Sequence, residues 1–336
     1  MDTMGIEFAH VNIPYDIYSK WDDVKHHRNA NYVVSQYGFT KYLSNTASIR
    51  YTYFPYIKGG LLKIEFSLPH IIYGNNIQMI YDIEKAIDIA NSKMPKIPGV
   101  PQLNFWAGIL YRLDVCFNFQ VNDLVPWYIK ALLALKFSYR RTRPYVGQGV
   151  QYENKKVILR IYDKARERKD MKDDKGALAA YGILRVEIEL KRDYIKKLTR
   201  CRKPTLQFIT RSWVFDVIEN ELRQLNLLDQ PIGTVDSTLK VLREKYGCWE
   251  ALALIGLLQT KITYPSTELL AQDAKLHKNS IGRHLYKKFA ENGIPPTLTD
   301  YVKPLPPLVI NRKIDFDKVI CKEKRGDTHR RPKSRV

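Results

Sequence analysis

Three stretches of the sequence combine carboxylates, arginines and a tyrosine at the spacing of β-strands. They span residues 111–117, 157–164 and 184–190. Because side chains alternate across a strand, every second residue shares a face. The residues predicted to share a polar face are Arg112, Asp114 and Cys116 in the first stretch, Arg160, Tyr162 and Lys164 in the second, and Arg185, Glu187 and Glu189 in the third.

Phosphoryl transfer is the chemistry that this face would support if the three strands were neighbours. Asp114 and Glu187 are suited to hold a hard divalent ion, Mg²⁺ or Mn²⁺, through their oxygens. The ion and the nearby cations would stabilise charge on a phosphate. Tyr162 would attack phosphorus and form a reversible covalent phosphotyrosine. Each strand taken alone is explained at least as well by a half-exposed strand with a solvated face.

Two roles in this chemistry stay open. A free phenol ionises near pH 10, so Tyr162 needs activation. Lys164 would either lower the pKa of Tyr162 or contact the phosphate. The third metal ligand would be Glu189 or Glu65.

The elements that must position these residues fall into two successive groups. Strand patterns with short connections dominate up to about residue 205, and helical periodicity dominates from residue 208. We therefore predict an α+β fold, a mostly antiparallel sheet with flanking helices, followed by a helical C-terminal module. The predicted units are 1–205 for the α+β domain, 206–315 for the helical, DNA-binding module and 316–336 for a basic tail.

A short internal similarity bears on the sheet. The stretch 61–68 (LLKIEFSL) resembles 183–190 (ILRVEIEL), and a helical pattern follows each. Two half-sheets built alike would explain the match, and so would coincidental strand patterning.

The charge balance favours a polyanionic partner. The chain has 55 Lys and Arg against 35 Asp and Glu, a net charge of +20, and each phosphate contact releases counterions. Nucleic acid is favoured over a membrane, because the longest apolar run, 251–258, is too short to span a bilayer. We expect a cytoplasmic protein, since the chain does not start like a signal peptide.

Two basic regions are candidates for DNA contact. The segment 136–172 contains Arg140, Arg141 and Arg143 beside aromatic residues and glycines, a composition that suits single-stranded DNA. A solvated surface loop explains it equally well. Residues 264–296 have the pattern of a helix-turn-helix, and a packed helix pair with a basic outer face is the somewhat favoured alternative.

Taken together, these motifs resemble the gene II / gene X family of filamentous-phage and plasmid replication initiators. The resemblance covers roughly residues 50–315. Its most specific part is the middle block. The segments that carry it are Leu61-Leu-Lys-Ile-Glu-Phe66, Arg112-Leu-Asp114, Leu159-Arg-Ile-Tyr-Asp-Lys-Ala-Arg-Glu167, Leu184-Arg-Val-Glu-Ile-Glu189, Asn292-Gly-Ile-Pro295 and Pro306-Pro-Leu-Val-Ile-Asn311.

The resemblance implies a replication-initiator nuclease fold and a site-specific nick that starts rolling-circle replication. Tyr162 matches the nucleophile of the family, and Asp114 and Glu187 match acidic positions suited to the metal. Basic flanking positions are matched by Lys164, Arg112 and Arg185. We expect Arg112 and Arg185, with Arg160 on the same face, to contact the DNA. The implied partners are single-stranded and supercoiled origin DNA, with a host helicase and polymerase. The His-x-His metal motif of many rolling-circle nucleases does not occur here.

Two other functions compete with this one. A conjugative relaxase would cut and rejoin DNA by the same chemistry. A non-catalytic DNA-binding regulator would explain the charge, but not the polar residues on three successive strands. The sequence leaves the oligomeric state and the choice between phage and plasmid open.

Overall fold

The computed structural model describes residues 1–28, 34–44, 46–54, 59–94, 96–135, 139–145, 147–263 and 287–312. Its centre is a ten-stranded antiparallel sheet, which confirms the predicted α+β class. The strands are β1 Thr3–Val11, β2 Asp23–Arg28, β3 Val34–Ser44, β4 Ala47–Tyr53, β5 Gly60–Ser67, β6 Ile109–Gln120, β7 Arg141–Tyr145, β8 Gly149–Glu153, β9 Val157–Asp163 and β10 Ile183–Lys191.

The sheet consists of two halves with the same connectivity. From its outer edge inward, the first half runs β2-β3-β4-β5-β1 and the second runs β7-β8-β9-β10-β6. In each half the first strand pairs with the last, and β1 pairs with β6 to join the halves. The similar stretches 61–68 and 183–190 therefore occupy corresponding strands, β5 and β10, as expected for two half-sheets built alike.

Helices flank the sheet and follow it along the chain. They are α1 Tyr15–Tyr18, α2 Leu68–Tyr73, α3 Ile83–Lys93, α4 Val125–Ala134, α5 Lys164–Asp170, α6 Asp174–Ala179, α7 Arg192–Thr199, α8 Arg211–Arg223, α9 Val235–Tyr246, α10 Cys248–Thr263 and α11 Lys288–Glu291, with 3-10 turns at Phe105–Ala107, Asn122–Leu124 and Leu206–Phe208. None of the helices in the described ranges is long and apolar enough to cross a membrane.

The apolar face of the sheet forms the main core. Leu113, Leu159 and Val186, from three adjacent strands, are fully buried. Helix α8 packs on this face, where the Phe215 ring lies 6.0 Å from that of Phe117. With one face covered by helices, the opposite face of the same strands is left for polar side chains, as alternation requires.

The C-terminal residues divide between two cores. Residues of α8, together with Ile232, Leu305 and Leu308, belong to the main core. A second core contains α9, α10 and α11. The predicted boundary at residue 205 stays a prediction. Residues 264–286 of the predicted helix-turn-helix, which include its first helix, its turn and the first half of its second helix, lie outside the described residues, as does the basic tail.

Candidate active site on the polar face of the sheet

The three strands with the candidate residues are neighbours, in the order β6-β10-β9. Across β6 and β10, Asp114 lies opposite Glu189. Across β10 and β9, Glu187 lies opposite Arg160, and Arg185 lies opposite Tyr162. The structure thus brings the polar residues of all three stretches onto one face.

Tyr162 is at the buried end of this face. Its hydroxyl donates a hydrogen bond of 3.0 Å to Oε2 of Glu187, and its side chain is only 2% exposed. Burial, followed by the charge of Glu187, raises the pKa of Tyr162 well above 10. The Tyr145 ring of β7 lies 5.4 Å from the Tyr162 ring. The phenol is therefore neutral, and Glu187 is the group placed to take its proton.

Arginines link the carboxylates into what we call the polar-face network: Glu65, Tyr111, Arg112, Asp114, Arg160, Tyr162, Glu187 and Glu189. Arg160 donates to Glu187 and to Glu189, each at 3.0 Å. Arg112 donates to both oxygens of Asp114, at 3.1 and 2.8 Å, and reaches Glu65 at 3.3 Å. Four carboxylates thus share two guanidiniums, which leaves the network negative in a chain of net charge +20.

Asp114 is the most buried carboxylate of the network, with a side chain 3% exposed. Burial raises its pKa to about 7, although the hydrogen bonds from Arg112 oppose this shift. The pKa of the Arg112 guanidinium is raised too, because its bonds to Asp114 and the charges of the carboxylates outweigh the opposing effect of burial. Asp114 and Arg112 therefore hold each other in place.

The carboxylate oxygens of this face are ligands that suit a divalent ion, but the pair that would hold the ion differs from the predicted pair. Within the described ranges, no group of three or more His, Cys, Asp or Glu side chains is arranged as a metal site. The predicted pair is offset diagonally, since Glu187 lies opposite Cys116 and Asp114 opposite Glu189. Hard carboxylate oxygens and the excess negative charge suit Mg²⁺ or Mn²⁺. Glu187 and Glu189, on one strand and joined by Arg160, are the better placed pair.

Lys164 is in a helix rather than in the strand as predicted. The Asp163 side chain accepts from the backbone N–H groups of Ala165 and Arg166, which ends β9 and begins α5 at Lys164. The Lys164 ammonium is buried, with Glu167 at 2.8 Å and Asn76 at 2.9 Å. Burial and nearby Arg185 lower its pKa to about 8. Its Nζ also lies 5.8 Å from the centre of the Tyr162 ring. Its polar contacts are with α5 and with the segment before α3.

Arg185, predicted to contact DNA, has no accessible surface in this structure. Its guanidinium donates to Asn118 and to the carbonyl of Ile77, each at 2.8 Å, and lies 3.7 Å from Asp2. Ile77 is available because α3 begins only at Ile83, where Asp82 caps it. Arg185 thus anchors the chain start and residues 75–79 to the sheet.

The other predicted DNA contacts differ in exposure. Arg141 and Arg143 lie exposed on the edge strand β7, and Arg143 pairs with Glu153 at 3.0 Å. Arg140 is held at 2.6 Å from Glu221 of α8, with its side chain 5% exposed. The side chains of Arg112 and Arg160 are 29% and 15% exposed and lie within the network. Of the six arginines predicted to contact DNA, Arg141 and Arg143 are the most open to a polyanion.

Tyr111 belongs to the site, although the sequence pattern did not predict it. Strict alternation assigns Tyr111 and Arg112 to opposite faces, whereas a register shift in the pairing of β1 with β6 places both on the polar face. The Tyr111 hydroxyl donates to Glu65 at 2.9 Å. No local signal in 109–119 marks the shift. The residue that could have indicated the register shift is Gly5 on the partner strand β1.

Two further tyrosines, Tyr152 and Tyr181, lie near Tyr162 in the sequence and could be considered as nucleophiles. Tyr152 is fully buried on the apolar face, where its hydroxyl donates to the carbonyl of Leu132 at 2.6 Å. Tyr181 is 59% exposed and bonds Asp123. Neither is in the network, so Tyr162 remains the stronger candidate of the three.

Comparison with known proteins adds no relative. No family model matches this chain, and a search of the curated proteins finds no match either.

Proposed function

We propose that this protein cuts and rejoins one strand of DNA through a phosphotyrosine at Tyr162, as an initiator of rolling-circle replication. The observation that carries the proposal is the Tyr162 hydroxyl bonded to Glu187 within an arginine-bridged set of carboxylates. The resemblance to the gene II / gene X family, with its nuclease-type fold, points the same way. The positive net charge suits a DNA substrate.

In the proposed reaction, Tyr162 Oη bonds to phosphorus while the bond from phosphorus to the 3′ oxygen breaks. The phenolic proton passes to Glu187, and the departing 3′ oxygen takes a proton from water. Arg160 is placed to stabilise the charge that develops on the phosphate. Rejoining is the reverse, with a 3′-hydroxyl as the attacking group. Access for DNA requires Tyr145 to move off Tyr162.

A divalent ion, Mg²⁺ or Mn²⁺, would supply further charge neutralisation when bound. Glu187 and Glu189 are the residues to hold it, with Asp114 behind them fixing Arg112. The expected partners are supercoiled and single-stranded origin DNA, a host helicase and a host polymerase, in the cytoplasm of the host cell.

The test is a denaturing gel of the protein after reaction with supercoiled DNA carrying the replicon's own intergenic region, with Mg²⁺, followed by nuclease digestion. The wild type should retain nucleotide mass. Tyr162→Phe should reduce the adduct at residue 162 at least about 100-fold, since it removes the attacking oxygen there, and should thereby lower the total yield on the gel. Binding of the same DNA should change less than about twofold.

Tyr152→Phe is the matched control, because it removes a buried tyrosine hydroxyl from the opposite face of the same sheet. It should keep the adduct in proportion to the folded protein recovered. An adduct of full yield on Tyr162→Phe would sink the assignment of the nucleophile. A wild type that binds the DNA tightly but neither nicks it nor forms an adduct would sink the proposed activity.

The burial of Tyr162 favours a second candidate, a non-catalytic DNA-binding regulator. A tyrosine that is 2% exposed and whose pKa is raised is also expected where its hydrogen bond only stabilises the fold. This function predicts binding without any nick. A relaxase remains the alternative within the same chemistry, and it would act on a transfer origin instead of the intergenic region.

A further inference from the structure

The polar face carries a second tyrosine–glutamate pair, whose glutamate is in the other half of the sheet. Glu65 on β5 holds the place that Glu187 holds on β10 when 61–68 and 183–190 are aligned. Glu65 accepts from Tyr111 at 2.9 Å, just as Glu187 accepts from Tyr162 at 3.0 Å. Two tyrosines, on β6 and β9, thus bond the glutamates at the two ends of one network, Glu65 in the first half and Glu187 in the second.

Two features of the backbone bring Tyr111 to this place. The register shift between β1 and β6 turns its side chain onto the polar face. Gly5 on β1 then lets the ring lie across that strand, because a Cβ at Gly5 would come within 2.8 Å of Tyr111 Cζ. An ordinary strand pair would provide neither feature.

The surroundings of Tyr111 contain cations, and its partner carboxylate is more open to solvent than that of Tyr162. Lys63 Nζ lies 5.0 Å from the centre of the Tyr111 ring, and the Arg192 guanidinium 5.9 Å from it. Arg112 bonds Glu65 at 3.3 Å. The Glu65 side chain is 39% exposed, against 12% for Glu187. Three cations therefore flank a tyrosine whose partner carboxylate is open to solvent.

We infer that Tyr111 is a second tyrosine that forms a covalent bond to a DNA phosphate, with Glu65 as its proton acceptor. The inference rests on the proposed function, since it assigns the same chemistry to a second residue. Tyr111 Oη bonds to phosphorus and the bond from phosphorus to the 3′ oxygen breaks. The proton of the phenol goes to Glu65, and the 3′ oxygen is protonated by water.

The two tyrosines serve different phosphates. Glu65 and Glu187 are three strand spacings apart, and their positions are offset by four residues along the strands. With strands ~4.8 Å apart and ~3.3 Å per residue, their backbones are roughly 20 Å apart. One phosphate cannot reach both hydroxyls, so the polar face holds two DNA positions at once.

The experiment maps the adduct by mass spectrometry of peptides after the gel reaction described above. It uses the wild type, Tyr162→Phe, Tyr111→Phe and the double variant. Tyr194→Phe is the matched control, because Tyr194 also donates to a glutamate, Glu221 at 2.9 Å, but outside the network. We expect nucleotide on both the Tyr111 and the Tyr162 peptides of the wild type. Tyr162→Phe should keep adduct on Tyr111 only, and the double variant should have none.

Each other outcome overturns the inference in a distinguishable way. Wild-type adduct confined to Tyr162, with Tyr111→Phe and Tyr194→Phe both unchanged, removes the second tyrosine and leaves the proposed function standing. A wild type without adduct on any peptide removes both proposals. If Tyr111→Phe has lost its fold, as judged by circular dichroism, the peptide map of the wild type and of Tyr162→Phe decides alone.

Discussion

The two halves of the sheet share their strand order but differ in how far they bury the side chain at a corresponding position. At Arg185 on β10 the cation is fully buried and bound to three partners, whereas its counterpart Lys63 on β5 is half-buried. The adjacent tyrosines follow the same contrast, with Tyr162 enclosed and Tyr111 partly open. One topology thus supports a closed and an open version of one polar arrangement. The side chains that cover the face decide which version is formed.

The largest expected effect tests this contrast through stability. Arg185→Met should destabilise the protein by about 3–5 kcal/mol, because it leaves Asp2 buried without its cation. Lys63→Met, the same change at the corresponding position, should cost less than about 1 kcal/mol. Urea unfolding of both variants gives the two values. Equal losses would mean that the two halves are covered alike.

The glycines beside the two tyrosines give the next effect. Gly149→Ala should cost about 2–3 kcal/mol, because the new Cβ would lie 2.2 Å from the Ile161 carbonyl oxygen and 2.6 Å from Tyr162 Cα. Gly5→Ala should cost about 1–2 kcal/mol, since its nearest contacts, 2.8 Å to Tyr111 Cζ and 2.9 Å to Arg112 Cβ, are less close than those at Gly149 and the Tyr111 ring can turn away. Thermal unfolding measures both. A larger loss for Gly5→Ala would show that Tyr111 is the more tightly fixed tyrosine.

The pH dependence of stability sharpens the role of Asp114 between the halves. Its pKa is raised from 3.8 to about 7, so the folded state binds the extra proton between these values. Stability should therefore fall as the pH rises through this window, by at most about 1.4 kcal/mol per pH unit. Asp114→Asn should remove this slope. Urea unfolding at pH 5 and pH 7 compares the variant with the wild type, and identical slopes would contradict the assignment.

The smallest effect concerns the two edges of the sheet. Replacing Arg141 and Arg143 of β7 with Gln should reduce the salt dependence of single-strand binding, with log Kd against log salt falling by about 0.7 per lost phosphate contact. Lys25→Gln on β2, the opposite edge, should leave the slope unchanged. Fluorescence anisotropy with a labelled oligonucleotide at four salt concentrations measures both. A slope reduced by Lys25→Gln alone would indicate that the DNA binds at the β2 edge, in the other half of the sheet.

The sequence predicted the parts of the site that obey strand alternation. Asp114, Arg160 and Glu187 share a face as expected, because their strands are regular and adjacent. Within the strand-rich part of the sequence, residues 1–45 are the exception and have no clear pattern, although β1 is central in the sheet. Gly5 and the left-handed His10, with φ of 58°, interrupt its alternation. A strand that depends on partners more than 50 residues away carries little of its own signal.

Burial was the other property that local pattern could not supply. Arg185 looks like any exposed arginine in a strand until Asp2 and Ile77 arrive from distant parts of the chain. Tyr162 is enclosed by Tyr145 in the same way. Such coverings depend on tertiary contacts, so the sequence indicated which residues share the face but not which of them DNA can reach.

The strand order also sets the sequence of events during synthesis. In each half the first strand can pair with the last only after the last has been synthesised, since Thr3 pairs with Ser67 and Gln120 pairs with Ile183. These distant pairings make each half slow to close. When the first half has emerged from the ribosome, β1 is an open edge strand until β6 follows. A nascent chain halted between residues 70 and 108 would thus expose an edge prone to aggregation, and β6 removes that hazard.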